Sequence, residues 1–123
     1  MKYDIPAALQ QLVPGAQWVL RGSEYSGLEW LDTNDQAQPT EEAINAKIVE
    51  LDAAEAMRLL RIERDKRIAA VDWEVTKAYS TGETVPTELA TYMQALRDLP
   101  DNSTPTVDAN HALDNSSVTW PTR

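Results

Sequence analysis

The sequence reads as an α+β protein, mainly α: a small N-terminal helix with a β-hairpin, a long helix within an αα-hairpin, and an irregular C-terminal tail. Three observations lead there. Residues 41–80 contain neither Pro nor Gly and are rich in Ala, Leu, Glu, Arg and Lys, all good helix formers. Two short alternating runs, 16–21 and 28–32, flank a connection bounded by Gly22 and Gly27, the pattern of a hairpin. Residues 101–123 are dominated by Asn, Asp, Ser, Thr and Pro, with Val107, Leu113, Val118 and Trp120 as scarce apolar points. The chain therefore divides into an N-terminal unit over 1–38, a helical hairpin over 39–100 and an extended tail over 101–123.

In the first unit, Ile5, Leu9, Leu12 and Val13 recur at helical spacing. Asp4 is placed to cap that helix, Pro6 falls in its first turn, and Pro14-Gly15 ends it. In the hairpin, Trp18 and Trp30 fall on one face. An isolated hairpin is marginal in water, so that face needs a partner layer. A polar linker over 33–39 follows.

Thr40 is the expected N-cap of the long helix, with Glu41 and Glu42 complementing its dipole. Ile44, Ile48 and Leu51 begin an apolar stripe that resumes at Leu59 and Ile62 and ends at Ile68, Val71, Val75 and Ala78. The stripe drifts, and Glu55 and Arg58 interrupt it. Two arrangements fit: one helix that changes partners along its length, or two helices with a soft joint near residues 52–57. Gly82 is the expected stop, Pro86 opens a second helix at its first turn, and Pro100 ends it. Leu89, Tyr92, Met93 and Leu96 form its apolar face, and Trp73 of the first helix is placed to meet Tyr92 or Leu96. Trp73, Tyr92, Leu96 and Leu99 are the expected core of the hairpin.

The chain has 123 residues, so it holds one ordinary domain or two very small ones. Without Cys, and with His111 as its single imidazole, it offers no disulfide scaffold, thiol nucleophile or Cys-based zinc site. Twenty acidic residues against eleven basic ones give a net charge of −9, which repels a phosphate backbone. Nucleic acid and membrane are not expected partners: no apolar run reaches the ~18–20 residues of a membrane span. The N-terminal residues lack a signal peptide's apolar core, which places the expected site of synthesis and assembly in a cytoplasm.

No residue constellation carries a catalytic, cofactor or metal reading. His111 lies among tail carboxylates at three-residue spacing and reads as exposed and non-functional, because a metal site needs more ligands in a firmer frame. Glu41 and Glu42 are adjacent on a helix and point apart, so they do not share a site. Arg58, Arg61 and Arg64 repeat every third residue along one drifting face. That face is either solvated, with intrahelical pairs such as Arg61 to Asp65, or an acceptor for acidic groups on a partner protein. Trp18, Trp30 and Trp73 read as core. Trp120, with Val118 before it and Pro121 after it, has little of its own segment to pack on: it folds back or anchors a partner. The pattern is that of a binding or assembly protein.

Two segments resemble a known family. Residues 61–68 (Arg-Ile-Glu-Arg-Asp-Lys-Arg-Ile) lead to Asp72-Trp73, and residues 92–100 read Tyr-Met-Gln-Ala-Leu-Arg-Asp-Leu-Pro. A Trp-Pro pair follows at Trp120-Pro121. This is similar to the phage tail assembly chaperone domain, found also at the C-terminal end of tail fibre assembly proteins. Met93 stands where that pattern usually has Arg, and the spacer before Trp120-Pro121 is longer than usual. The resemblance implies a chaperone of the host cytoplasm that performs no covalent chemistry and needs no cofactor. Its partner would be a trimeric tail fibre protein, whose folding it assists and on which some such proteins stay. Trp120, Pro121, Val118, Arg58, Arg61 and Arg64 are the partner-binding residues expected on this view, and threefold partners make a homotrimer the natural assembly. The other classes to weigh are a structural virion subunit without a folding role (a fibre-tip cap or baseplate component), a small enzyme, and an RNA-binding regulator. Whether the fibre folds without the chain, and whether the chain occurs in the mature particle, separates the chaperone from the structural subunit.

Overall fold

A computed structural model describes residues 3–123. Helix α1 spans Ile5–Leu12, strands β1 (Trp18–Leu20) and β2 (Leu28–Trp30) form the hairpin, and helices α2 (Glu41–Thr81) and α3 (Thr87–Asp98) follow. Three short 3₁₀ turns, Tyr25–Gly27, Leu99–Asn102 and Asn115–Ser117, shape the hairpin loop and the tail. The architecture is mainly α with one two-stranded antiparallel sheet, the expected fold class.

The caps explain the element boundaries. The Asp4 carboxylate accepts the Ala7 N–H at 3.1 Å, and the Thr40 hydroxyl accepts the Ala43 N–H at 3.1 Å. Each satisfies one of the donors that a helix start leaves without an intrahelical partner. At the far end of α2, Gly82 turns left-handed (φ 74°), and the Glu83 N–H bonds back to the Ala78 carbonyl at 2.8 Å. A side chain there would be strained, which is why the helix stops at this glycine. Pro86 is the residue that caps α3 and lies just outside the first turn, not within it.

Helix α2 is a single unbroken helix of 41 residues, about 60 Å at 1.5 Å per residue. Of the two arrangements the sequence allows, the one helix that changes partners is the one observed. Ile44 and Leu60 lie about 160° apart around the axis and about 24 Å apart along it at the standard helical rotation and rise. Each is the centre of a separate buried cluster. Ile44 packs with Ile5, Ala8 and Leu9 of α1, and with Trp18, Leu20, Leu28 and Trp30 of the hairpin. Leu60 packs with Leu99 and Val118, with Met57, Leu113 and Trp120 beside them. The apolar stripe drifts because it serves opposite faces in its two halves. Burying a side chain such as Ile44 or Leu60, both essentially inaccessible, contributes about 1.5–3 kcal/mol.

The hairpin register pairs Trp18 with Trp30, Val19 with Glu29 and Leu20 with Leu28. The two tryptophans and two leucines therefore share the face that lies on α1 and α2, while Val19 and Glu29 face outward. Trp18 and Trp30 are half-buried, not fully enclosed. The hairpin turns tightly at Gly27, where an added Cβ would run into the backbone carbonyl of Arg21. The polar linker is tied down. Asn34 bonds the Gln17 backbone through both amide atoms (2.7 and 2.6 Å), the Trp30 indole donates to the Gln36 carbonyl, and the Tyr25 hydroxyl donates to the Pro39 carbonyl.

In the helical hairpin, Leu96 is fully buried, Leu99 nearly so and Tyr92 half-buried. Trp73, expected in that core, is 61% exposed, which corrects its placement. The α2 face that meets α3 and the tail runs through Leu60, Glu74 and Ala78. Trp73 lies about 100° further round from Glu74, on the open side.

Candidate partner-binding surface

The tail does not trail away from the helices. It folds into a small loop and returns along α2. Val107 and Leu113 form an antiparallel bridge, and Asp114 N–H bonds the Thr106 carbonyl at 2.9 Å. Inside the loop, the Asp108 carboxylate accepts the Asn110 and Ala112 N–H groups at 2.8 and 3.0 Å. These two bonds, that from Ala112 foremost, hold the Asp108 carboxyl below its ordinary pKa. His111 takes a left-handed conformation (φ 62°) at the loop tip. It is half-buried, not exposed as expected. Its ring meets Tyr3 edge-on with centroids 4.9 Å apart, joining the tail to the N-terminal unit.

Beyond the last 3₁₀ turn, Val118 is buried on Leu60 and Leu99. Trp120 lies against the same cluster, with the Arg67 guanidinium 4.0 Å from its ring centroid and its indole N–H on Asn115 Oδ1 at 3.1 Å. Of the two possibilities for Trp120, this structure displays the folded-back one. Pro121 follows, half-buried. Arg123 then spans the two helices. Its guanidinium bonds Glu74 of α2 at 2.6 and 3.1 Å and Glu88 of α3 at 2.6 and 3.2 Å. The Glu88 carboxyl is lowered below its ordinary pKa chiefly by these Arg123 hydrogen bonds, and the Arg123 pKa is raised in turn, by Glu88 first and then Glu74. Nothing in the local sequence marks this clasp, because its carboxylates lie 35 and 49 residues away along the chain.

The three arginines singled out by spacing are not a single free face. Arg58 and Arg64 project about 120° apart around α2. Arg58 is paired with Glu55 at 2.6 Å, and Arg64 is paired with its neighbour Asp65 at 2.8 Å. The Arg58 hydrogen bond is the main cause of a lowered Glu55 pKa. Arg61, expected to reach Asp65, is exposed and makes no ion pair among the described residues. Arg67, not among the expected partner contacts, does more than any of them within the fold: it pairs with Glu63 at 3.2 Å and covers Trp120.

Several apolar groups remain at the surface of α2: Val49 at 68%, Ile62 at 44%, Trp73 at 61% and Tyr79 at 80% exposed. Between α2 and α3 an open groove of about 420 Å³ is lined by Val75, Val85, Ala90 and Met93, with Asp72 and Arg97 at its edges. A wider concavity of about 630 Å³ lies by the hairpin loop and mixes Asp4, Glu24 and Glu41 with Tyr25, Ile44 and Ile48. Among the described residues, no three His, Asp or Glu side chains are placed to hold a metal ion. Among the described residues, no helix is long and apolar enough to cross a membrane.

The chain matches the family described as phage tail assembly chaperone protein over residues 57–123. The chain belongs to the phage tail assembly chaperone family. The matched region takes in the second half of α2, all of α3 and the returning tail, so the Leu60 cluster, the Arg67–Trp120 stack and the Arg123 clasp all lie inside the chaperone region. The α1–hairpin unit and the first part of α2 precede it. No curated protein and no solved structure matches the chain.

Proposed function

We infer that this tail assembly chaperone serves a tail fibre: it binds a fibre chain that must trimerise, assists that step in the host cytoplasm and performs no covalent chemistry. The observation that carries the reading is the family match over 57–123, a region holding the C-terminal part of α2, all of α3 and the tail. Physical reasoning supports it. Unassembled fibre subunits present unpaired strand edges and apolar patches, which aggregate unless covered. The exposed Ile62 and Trp73 share one side of α2, about 20° apart in projection, and provide an apolar contact beside the solvated Arg61. Arg58, Arg61 and Arg64 then meet acidic groups of the fibre, and the tail segment Val118, Trp120 and Pro121 supplies the remaining contact. Three copies on one fibre trimer match its symmetry.

The test is refolding of the denatured fibre chain by dilution, with and without this protein. Native trimer yield should rise several-fold when the chaperone is present in stoichiometric amount. An unchanged yield with the chain bound to the finished fibre identifies a structural cap instead, and the same experiment reads whether the chain stays on the fibre.

A further inference from the structure

The geometry points to the segment 117–123 as a removable strap, and to the groove beneath it as the docking site for an extended segment of the fibre chain. That client segment carries an apolar residue, then an aromatic residue two positions on, then a cation. The inference rests on the fibre-chaperone reading and names the contact through which it works.

Four observations support it. Val118 is extended (φ −122°, ψ 132°), and the side chains alternate, Val118 inward, Thr119 outward, Trp120 inward. That is the period of a β-strand, so any extended segment with the same alternation presents the same pair of side chains. The strap is held to the helices by side chains: among the described residues no backbone hydrogen bond joins 117–123 to α2 or α3. Its end is fixed by Arg123 on Glu74 and Glu88, a clasp at the surface, where ion pairs are screened by salt and are weak. Lifting the strap uncovers Leu60, Leu99 and Met57, an apolar floor ending at two carboxylates. A replacement segment of this pattern fills the floor and satisfies those carboxylates, and the displaced Val118 and Trp120 become free to bind the client as well.

The absence of native Cys makes the test direct. In a Glu88→Cys/Arg123→Cys protein, a bismaleimide linker ties the strap down, while the unlinked protein has lost its clasp. Binding of the candidate fibre chain from the same phage is measured for both forms and for the native chain. Both forms lack the Glu88 carboxylate, so they are compared with each other: the linked form should bind at least tenfold more weakly than the unlinked form. Arg123→Glu should tighten binding several-fold and speed hydrogen exchange at the Ser117 and Val118 amides relative to those of α2 and α3. Equal affinity of linked and unlinked forms overturns the strap while leaving fibre binding intact. Exchange of the tail amides only at the rate of the helix cores also overturns it. A native chain that binds no fibre overturns the chaperone reading and the strap together. A chain that is dimeric alone, and monomeric when linked, shows the groove taking the tail of a second copy and overturns the fibre segment as its occupant.

Discussion

Replacing Trp120 by Ala removes three things at once, and their sizes can be set against each other. The Arg67 guanidinium loses its aromatic face, a contact of about 0.5–1 kcal/mol at a partly exposed site. The hydrogen bond to Asn115 is lost, about 0.5–1.5 kcal/mol. The ring also covers part of the Leu60–Leu99–Val118 cluster. A fully buried Trp removes 150–250 Å² from water, so a half-buried one at ~25 cal/mol per Å² contributes roughly 2 kcal/mol. The expected loss is about 3–4.5 kcal/mol, short of unfolding a domain whose stability is about 5–15 kcal/mol. In urea denaturation followed by circular dichroism, with a slope of about 2 kcal/mol per M, the midpoint should fall by about 1.5–2 M while the helical signal in buffer stays native. A shift below about 0.2 M would refute the folded-back placement of Trp120. Loss of helix in buffer would refute its description as a strap laid over an already formed helical pair.

Further outcomes follow from other parts of the fold. Ile44→Ala and Leu60→Ala should each cost about 2–5 kcal/mol, and their effects should add to within about 0.5 kcal/mol, because the two sites are far apart and share no neighbours; a thermodynamic cycle by urea denaturation reads this. Gly27→Ala should destabilise the protein although it adds a single methyl group, since that methyl meets the Arg21 carbonyl; hydrogen exchange at the Arg21 amide, which bonds the Gly27 carbonyl, should rise. Acid should act on Glu55, Glu88 and Asp108, whose native pKa values are lowered. A lowered carboxyl favours the fold above its unfolded value, near 4 to 4.5, and that contribution is lost as pH falls through the lower native value. Tail amides should therefore lose protection below about pH 4 before α2 melts, and a tail that outlasts α2 in acid contradicts the clasp.

Much of this architecture is written locally. Asp4, Thr40 and Gly82 act on neighbours within a few residues, so the ends of α1 and α2 follow from side-chain chemistry alone. The change of partner along α2 was visible as a drifting stripe. Its resolution into one continuous helix depends on two clusters on opposite faces, which only the tertiary structure displays. Trp73 was misplaced because residue type argued for burial, whereas the inward face of α2 passes through Leu60, Glu74 and Ala78 and leaves the indole outside. The arginine triplet shows the same limit. Spacing of three gives a drifting row, and local carboxylates at Glu55 and Asp65 engage two of its members. The Arg123 clasp, the Arg67–Trp120 stack and the Tyr3–His111 contact bring together residues 35 to 108 positions apart, beyond the reach of any periodicity.

The most direct measurement is co-expression of this chain with the candidate tail fibre gene of the same phage, followed by size-exclusion chromatography with light scattering, with the fibre alone as control. The expected result is a fibre that is insoluble alone and elutes as a soluble trimer when the chain is present, the mass giving the number of copies attached. A fibre that forms soluble trimers unaided, with no dependence on this chain, would contradict the assembly role assigned to it.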